Sequence, residues 1–323
     1  MTTADPALLI TAILLDLTLG DPRWLPHPVV GIGRLISGLD TFLYRTIPGK
    51  RLAGAILLTV TVLVSAAAAW ALIRLGTSLH PLAGFAVAAI LSFTCLAARS
   101  LHREAALVAD ALAASDIEDA RRLLGRIVGR DTAGLEEGEI WRALVETVAE
   151  NTCDGIIAPL FWLTLTGPVG AMAYKSVSTL DSMVGYRNER YLEFGRASAR
   201  MDDLLNFVPA RLTALLMILA APLAGLSLKG AISITLRDRL KHPSPNSGHP
   251  EAAAAGALRV RLGGMSSYRG KPSLKEYIGD SHAPLDRQAF TGMMRLMYAT
   301  TLLMAAACIA GAFISGGFHV PHL

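Results

Sequence analysis

Glu146, Glu150 and Asp154 recur at four-residue intervals, with Asn151 beside them and an apolar run after Gly155. On a helix from about Glu139 to Asp154 the three carboxylates share one face, opposite Ile140, Trp141, Leu144, Val145 and Val148. Such a row fits a solvated helix face. At the edge of a membrane segment it also fits Mg²⁺, held through one or two carboxylates and several waters. Lys175, Thr179 and Ser182 line up at i, i+4 and i+7 with Ser178 and Asp181 alongside, a lysine and hydroxyls suited to a phosphate. The same residues fit a lysine snorkelling from a helix end while small polar side chains pack on a neighbour. Asp202, Asp203 and Asn206 share another helical face, open to Mg²⁺ and diphosphate or to service as an interfacial first turn. The loop from His242 through Pro243, Ser244, Pro245, Asn246, Ser247, Gly248 and His249 to Pro250 and Glu251 is rich in turn formers and leads into an alanine run. Pro250 at the first helical position would leave backbone N–H groups facing the loop as an anion site; otherwise the loop simply starts a helix.

These groups sit in a chain of 323 residues that is 52% hydrophobic and 17% charged, with a mean hydropathy of +0.44. That is too apolar for an ordinary soluble domain of this length and implies an integral membrane protein. Leu52 to Ile73, Pro81 to Leu101, Val208 to Leu228 and Leu296 to Ile314 are long enough to cross a bilayer as helices. Ile156 to Tyr174 is a fifth run, broken by Pro159 and by Gly167-Pro168. Ala7 to Leu19 is short and contains Asp16, which reads as a partial or interfacial segment. The expected architecture is an all-α, polytopic helical bundle of about five transmembrane helices, one membrane-embedded domain over residues 1–323, with amphipathic helices at its surface. Ser115 and Glu118 form a capping box for one of these, with Ile117, Ala120, Leu124 and Ile127 at helical spacing and an end near Gly129.

Gly20-Asp21-Pro22 is followed by Trp24 and Pro26-His27-Pro28, whose prolines forbid a regular helix before about Val29. The stretch is a binding loop or a proline-punctuated helix start. No basic leader or cleavage site marks a signal peptide, so the first segment is expected to stay with the chain. The three cysteines form no Cys-x-x-Cys pair and are expected to be free thiols. The net charge of +4 has no aromatic interleaving that would suit nucleic acid, and Gly270-Lys271 is not part of a nucleotide P-loop. His319 and His322 are read as incidental.

Taken together, Gly20-Asp21-Pro22 with Pro26-His27-Pro28-Val29 and Gly33, Glu150-Asn151 with Asp154-Gly155, Lys175 through Asp181 into Gly185-Tyr186, Asp203 with Pro209-Ala210-Arg211, and Ser244 through Glu251 resemble the CobD/CbiB family of cobalamin biosynthesis, in the same order along most of the chain. The resemblance implies a multi-pass membrane adenosylcobinamide-phosphate synthase. Such an enzyme uses ATP and Mg²⁺ to join aminopropanol or its phosphate to the free propionate carboxyl of adenosylcobyric acid, the corrinoid being substrate and not cofactor. Within the matched stretches, Lys175, Asp181, His249 and Glu251 are the catalytic candidates, with His249 or Glu251 able to deprotonate the incoming ammonium. His27, Asn151, Thr179, Ser182, Tyr186, Arg187, Asn246 and Ser247 are candidates for substrate or phosphate binding, and Glu150, Asp154, Asp202 and Asp203 for metal. Each rests on its own chemistry within a matched stretch. The implied partners are the bilayer and, beyond the substrates, a second copy of the chain or other enzymes of the pathway. A non-catalytic membrane sensor or accessory protein similar to the AmpE type, or a corrinoid transport component, is the alternative.

The resemblance places the protein in the inner cell membrane with its site on the cytoplasmic side. Five crossings with a cytoplasmic N-terminus put 102–155 and 229–295 inside, where their cations are favoured, but 175–206 outside. Either the broken Ile156 to Tyr174 run is re-entrant, with Val208 to Leu228 also failing to cross, or the motifs meet in a cavity at membrane depth.

Overall fold

The computed structural model describes residues 5–22, 24, 26–186, 188–268 and 270–316. Its helices are α1 (Pro6–Leu19), α2 (Pro28–Thr46), α3 (Lys50–Leu79), α4 (Pro81–Phe93), α5 (Ala98–Ala113), α6 (Ile117–Leu124), α7 (Glu137–Thr152), a π-helical turn (Cys153–Ile157), α8 (Ala158–Val184), α9 (Tyr191–Phe194), α10 (Arg196–Leu223), α11 (Leu228–Asp238) and α12 (Gly248–Leu258). Strands β1 (Arg261–Tyr268) and β2 (Lys271–Gly279) and helix α13 (Arg287–Gly316) complete it. Among the described residues five segments are long and apolar enough to cross a membrane: Lys50–Leu79, Pro81–Ala113, Glu137–Val184, Arg196–Leu223 and Arg287–Ile314. The chain is thus an all-α, multi-pass membrane protein in class. Pro6–Leu19 is a shorter apolar helix, as its length and Asp16 foretold.

Two compact units are present, one of residues 1–97, 158–206 and 305–323, the other of 98–157 and 207–304. In the first, α3 packs on α2, α4 and α8, and α1 on α4. Leu9, Ile36, Leu57, Leu160, Leu163 and Phe194 are fully buried there. The break in α8 falls where the sequence places it. Pro168 has no N–H to donate and disfavours a helical residue before it, and Gly167 takes φ 70°.

In the second unit α12 is buried along its whole length and lies against α11. Its alanines and glycines allow this, since a Cβ on Gly256 would sit 2.2 Å from the carbonyl oxygen of Gly230. Strands β1 and β2 form an antiparallel hairpin from Arg261↔Gly279 to Tyr268↔Lys271, with an irregularity between Leu262 and Gly264. Gly263 and Gly264 take φ of 82° and 87° there, which a residue with a side chain adopts only under strain. Asp131 holds the hairpin tip by accepting from Ser267 Oγ and from the Gly270 N–H, each at 2.7 Å.

Several expectations are corrected. Ser115 is not the cap of α6, because it takes φ 60° and hands that role to Asp116, whose carboxylate accepts the Asp119 N–H at 3.0 Å. The helix ends at Leu124 rather than near Gly129. Pro250 is not at the first helical position, because α12 begins two residues earlier at Gly248. The β-hairpin was not foreseen. Nor was the π-helical turn, which takes Asp154 off the α-helical phase shared by Glu146 and Glu150.

Candidate active site

The densest polar group of the second unit is built by the last turns of α7, the loop 239–247, the start of α12 and the hairpin. The α7 carboxylates are not a solvated face. Glu146 is only 3% exposed, with Arg130 Nη2 2.6 Å from its Oε2 and the Gly263 N–H donating to its Oε1 at 2.7 Å. Arg142, one turn earlier, donates to the carbonyls of Gly263 and Met265, so α7 clamps the irregular end of the hairpin from two sides. Glu150, half-buried, accepts a hydrogen bond from Ser247 Oγ at 2.8 Å. Asn151 is turned back on its own helix, its Nδ2 donating to the Thr147 carbonyl at 2.8 Å. Asp154 is half-buried in the π-helical turn.

Asn246, Ser247, His249 and Glu251 are all buried at the start of α12. Glu251, 3% exposed, has its pKa pushed well above the ordinary carboxylate value, first by burial and then by the neighbouring Glu146 and Glu150. His242 Nδ1 accepts the Ser244 N–H at 3.0 Å, and the other ring nitrogen is Nε2. That Nε2 lies 3.7 Å from Glu251 Oε1 and 2.9 Å from Lys275 Nζ. Burial, with help from the Lys275 charge, lowers the His242 pKa to about 4. His249 is also lowered to about 4, by burial and by the charges of Arg211 and Arg239. Asp238, fully buried, closes the unit behind this group. It accepts the Gly279 N–H at 2.8 Å and pairs with Arg237 and Lys241, cations that help hold its pKa below the carboxylate range.

The other candidates lie in the first unit. His27 caps α2: its Nδ1 accepts the Val29 N–H at 3.2 Å and its Nε2 faces Asp21 Oδ1 at 3.1 Å. This loop is therefore a helix start, and it also lines an apolar cavity of about 920 Å³ with Val64, Leu72, Leu91 and Met172. Lys175, half-buried, lies within α8, and the Thr179 and Ser182 hydroxyls donate to the carbonyls of Lys175 and Ser178 at 2.7 and 2.9 Å. Both hydroxyls thus bond the preceding turn of α8. Asp181 is half-buried in the same helix, and Tyr186 beyond its end is exposed. Asp202 accepts from Asn206 Nδ2 at 3.0 Å, and Asn206 Oδ1 accepts from Tyr174 Oη at 2.9 Å, a chain that ties α10 to α8. Asp203 is half-buried beside it. Arg187 lies outside the described residues. Arg190 pairs with Asp40 at 2.9 Å and covers the Tyr44 ring.

A sequence model described as CobD/Cbib protein matches residues 9–297. The chain belongs to the CobD/CbiB family. Cobalamin biosynthesis protein CobD of Pelobacter propionicus is 64% identical over 323 residues, covering all of both chains. Its namesake in Geobacter metallireducens is 60% identical over 302 residues, 94% of this chain and 95% of that one. Cobalamin biosynthesis protein CbiB of Salmonella typhi is 46% identical over 309 residues, covering 94% and 97%. No solved structure matches. Membership of the CobD/CbiB family places the chain in cobalamin biosynthesis. Sequence reading missed Arg130, His242 and Lys275 as members of the polar group. Arg130 and Lys275 stand in no periodic pattern with the carboxylates they approach, and His242 was seen only as the opening of the turn-rich loop.

Proposed function

We propose that the protein is an ATP-dependent amide ligase of cobalamin biosynthesis. It would join aminopropanol, or its phosphate, to the free propionate carboxyl of adenosylcobyric acid. Family membership supports the pathway and a corrinoid substrate. The observation that carries the chemistry is the convergence of Glu150, Ser247 and the buried Glu251 at the start of α12.

A carboxylate resists attack by an amine until it is activated. Transfer of the ATP γ-phosphoryl to a propionate oxygen gives an acyl phosphate and ADP. The amine nitrogen then bonds to the acyl carbon, the C–O bond to phosphate breaks, and phosphate leaves. One ammonium proton must go to a base. Glu251 suits this better than His249, because a carboxylate whose pKa is raised is a stronger base than an ordinary one, whereas an imidazole lowered to about 4 is a weak base. Glu150 and Asp154 are hard oxygen donors that fit Mg²⁺ when substrate phosphates and waters complete its shell. Among the described residues no three His, Cys, Asp or Glu side chains form a cage for a metal, which favours a cation held largely by the phosphates. When bound, Mg²⁺ would neutralise charge on the transferring phosphoryl group.

The test is purified protein in detergent with ATP, Mg²⁺, adenosylcobyric acid and either amine, read by mass spectrometry. The expected result is an amide product and ATP consumption that needs both acceptors. Absence of product with all substrates present would overturn the reading in favour of an accessory role. We also place the chain in the inner membrane with this group on the cytoplasmic side, where ATP is found. Labelling of cysteines introduced at Ser182 and Ser247 checks that orientation.

A further inference from the structure

Arg211 and Arg239 differ from the other cations around the polar group. Arg130 and Arg142 face Glu146, and Arg237 faces Asp238 and Asp280, but among the described residues neither Arg211 nor Arg239 meets a carboxylate. Each spends one nitrogen on its own helix. Arg211 Nη1 donates to the Phe207 carbonyl at 2.6 Å and reaches Asn246 Oδ1 at 3.4 Å, while Arg239 Nη1 donates to the Leu236 carbonyl at 2.5 Å. Among the described residues the Nε and Nη2 edge of both guanidiniums makes no hydrogen bond, the edge that grips two oxygens of one anion, and the Arg211 guanidinium lies over the Phe207 ring. The two charges act on each other and on His249. His249 is 5% exposed, and among the described residues its Nε2 has no hydrogen-bond partner.

A buried imidazole nitrogen without a hydrogen-bond partner, in the field of two cations that meet no carboxylate among the described residues, is a costly arrangement unless an anion joins them. The start of α12 holds it there. A Cβ on Gly248 would lie 2.5 Å from the Arg239 carbonyl oxygen, so only glycine lets the end of α11 sit this close to the first turn of α12.

We propose that Arg211, Arg239 and the His249 ring form a binding site for a phosphate monoester at the N-terminal end of α12. Two guanidiniums match the charge of nearly −2 that such an ester carries at neutral pH, and a neutral imidazole donates one more hydrogen bond. The ester is taken to be the amino-alcohol phosphate, an identity that rests on the ligase reading; the site itself does not. His249 thereby becomes a binding residue rather than the base.

The test uses the full chain in detergent, with neither ATP nor corrinoid, and follows the thermal midpoint against O-phosphoethanolamine, with ethanolamine as the control. The ester is expected to raise the wild-type midpoint saturably and ethanolamine to leave it unchanged. R211Q, R239Q and H249F should each weaken half-saturation by about tenfold to a hundredfold. In the absence of ester, R239Q should unfold no earlier than wild type, since it relieves repulsion. A lower ester-free midpoint with unchanged half-saturation would make Arg239 a helix cap and overturn the proposal, as would equal half-saturation in all four proteins. Nanodiscs containing phosphatidic acid form a second arm. Protection there alone would assign the same site to a lipid headgroup. A failed ligase assay alters none of these outcomes.

Discussion

Glu150 and Ser247, 97 positions apart, are joined by a hydrogen bond of 2.8 Å that fixes the last full turn of α7 to the loop before α12. The bond uses one carboxylate oxygen and aims the other. If Glu150 holds Mg²⁺ beside the substrate phosphates, E150A should abolish amide formation while the protein stays folded and inserted. E150Q keeps an acceptor for Ser247 but not the charge, so it should retain the wild-type melting temperature and still lose turnover. S247A keeps the charge and should cost about 1.5 to 3 kcal/mol of stability, the worth of a charged hydrogen bond. D154A tests the second proposed ligand, and wild-type turnover in it would remove Asp154 from the metal set. Mass-spectrometric product yield against Mg²⁺ concentration reads all four variants.

Glu146 has a structural part in this group. With Arg130 on one oxygen and the Gly263 N–H on the other, it anchors the hairpin on α7. Removing either partner of a buried ion pair leaves an uncompensated charge, so R130A and E146A should each destabilise the protein by about 3 to 5 kcal/mol. The double variant R130M/E146L should recover only part of this, because the Gly263 N–H then has no acceptor. Denaturant unfolding in detergent measures the difference.

The spans were legible because a membrane helix announces itself as a long apolar run, and the break in α8 because Gly167-Pro168 has one physical meaning. The hairpin was not. Arg261–Tyr268 contains two glycines and no β-branched residue, and its irregular end is held by Glu146 and Arg142 from α7 rather than by strand propensity. Ser115 misled because a capping pattern says nothing of the backbone angle that displaces it by one residue. Glu150, Ser247 and Glu251 were legible by type. That they gather in one place depends on how α7 and α12 pack, which no local spacing encodes.

The pH dependence of stability follows from two groups that respond in opposite directions. The Glu251 pKa is raised in the folded state, so the folded protein holds that proton more tightly, and stability is lost as pH climbs from the ordinary carboxylate range through the raised value. His242 is lowered to about 4 from an unfolded value near 6.5, so its contribution is complete above about pH 6.5 and is lost as pH falls toward 4. E251Q should flatten the alkaline limb of a melting-temperature profile, and H242N the acid limb. Glu146, Lys275 and Arg130 are the charged groups that act on both, and Glu150 acts on Glu251 as well. A profile unchanged by E251Q would mean that the carboxyl is ionised throughout.

Lys175 is the cation that α8 places deepest in its helix. It lies nine residues before Val184, roughly 14 Å along the axis, farther than a four-carbon stem reaches to a helix end. Snorkelling from that end is therefore a poor account of it. The hydroxyls expected to join it are already committed, with Thr179 donating to the Lys175 carbonyl itself. T179V should then leave substrate half-saturation unchanged, while K175Q, which removes the charge, should weaken that of ATP or of the amino-alcohol phosphate by about tenfold to a hundredfold. K175R keeps the charge but exchanges a compact ammonium for a planar fork, and a point contact to phosphate should not tolerate it. Titrating the two ligands separately against K175Q identifies which phosphate the lysine serves. Unchanged half-saturation for both, with an unchanged rate, would make Lys175 a packing residue of α8 and leave phosphate recognition to Arg211 and Arg239.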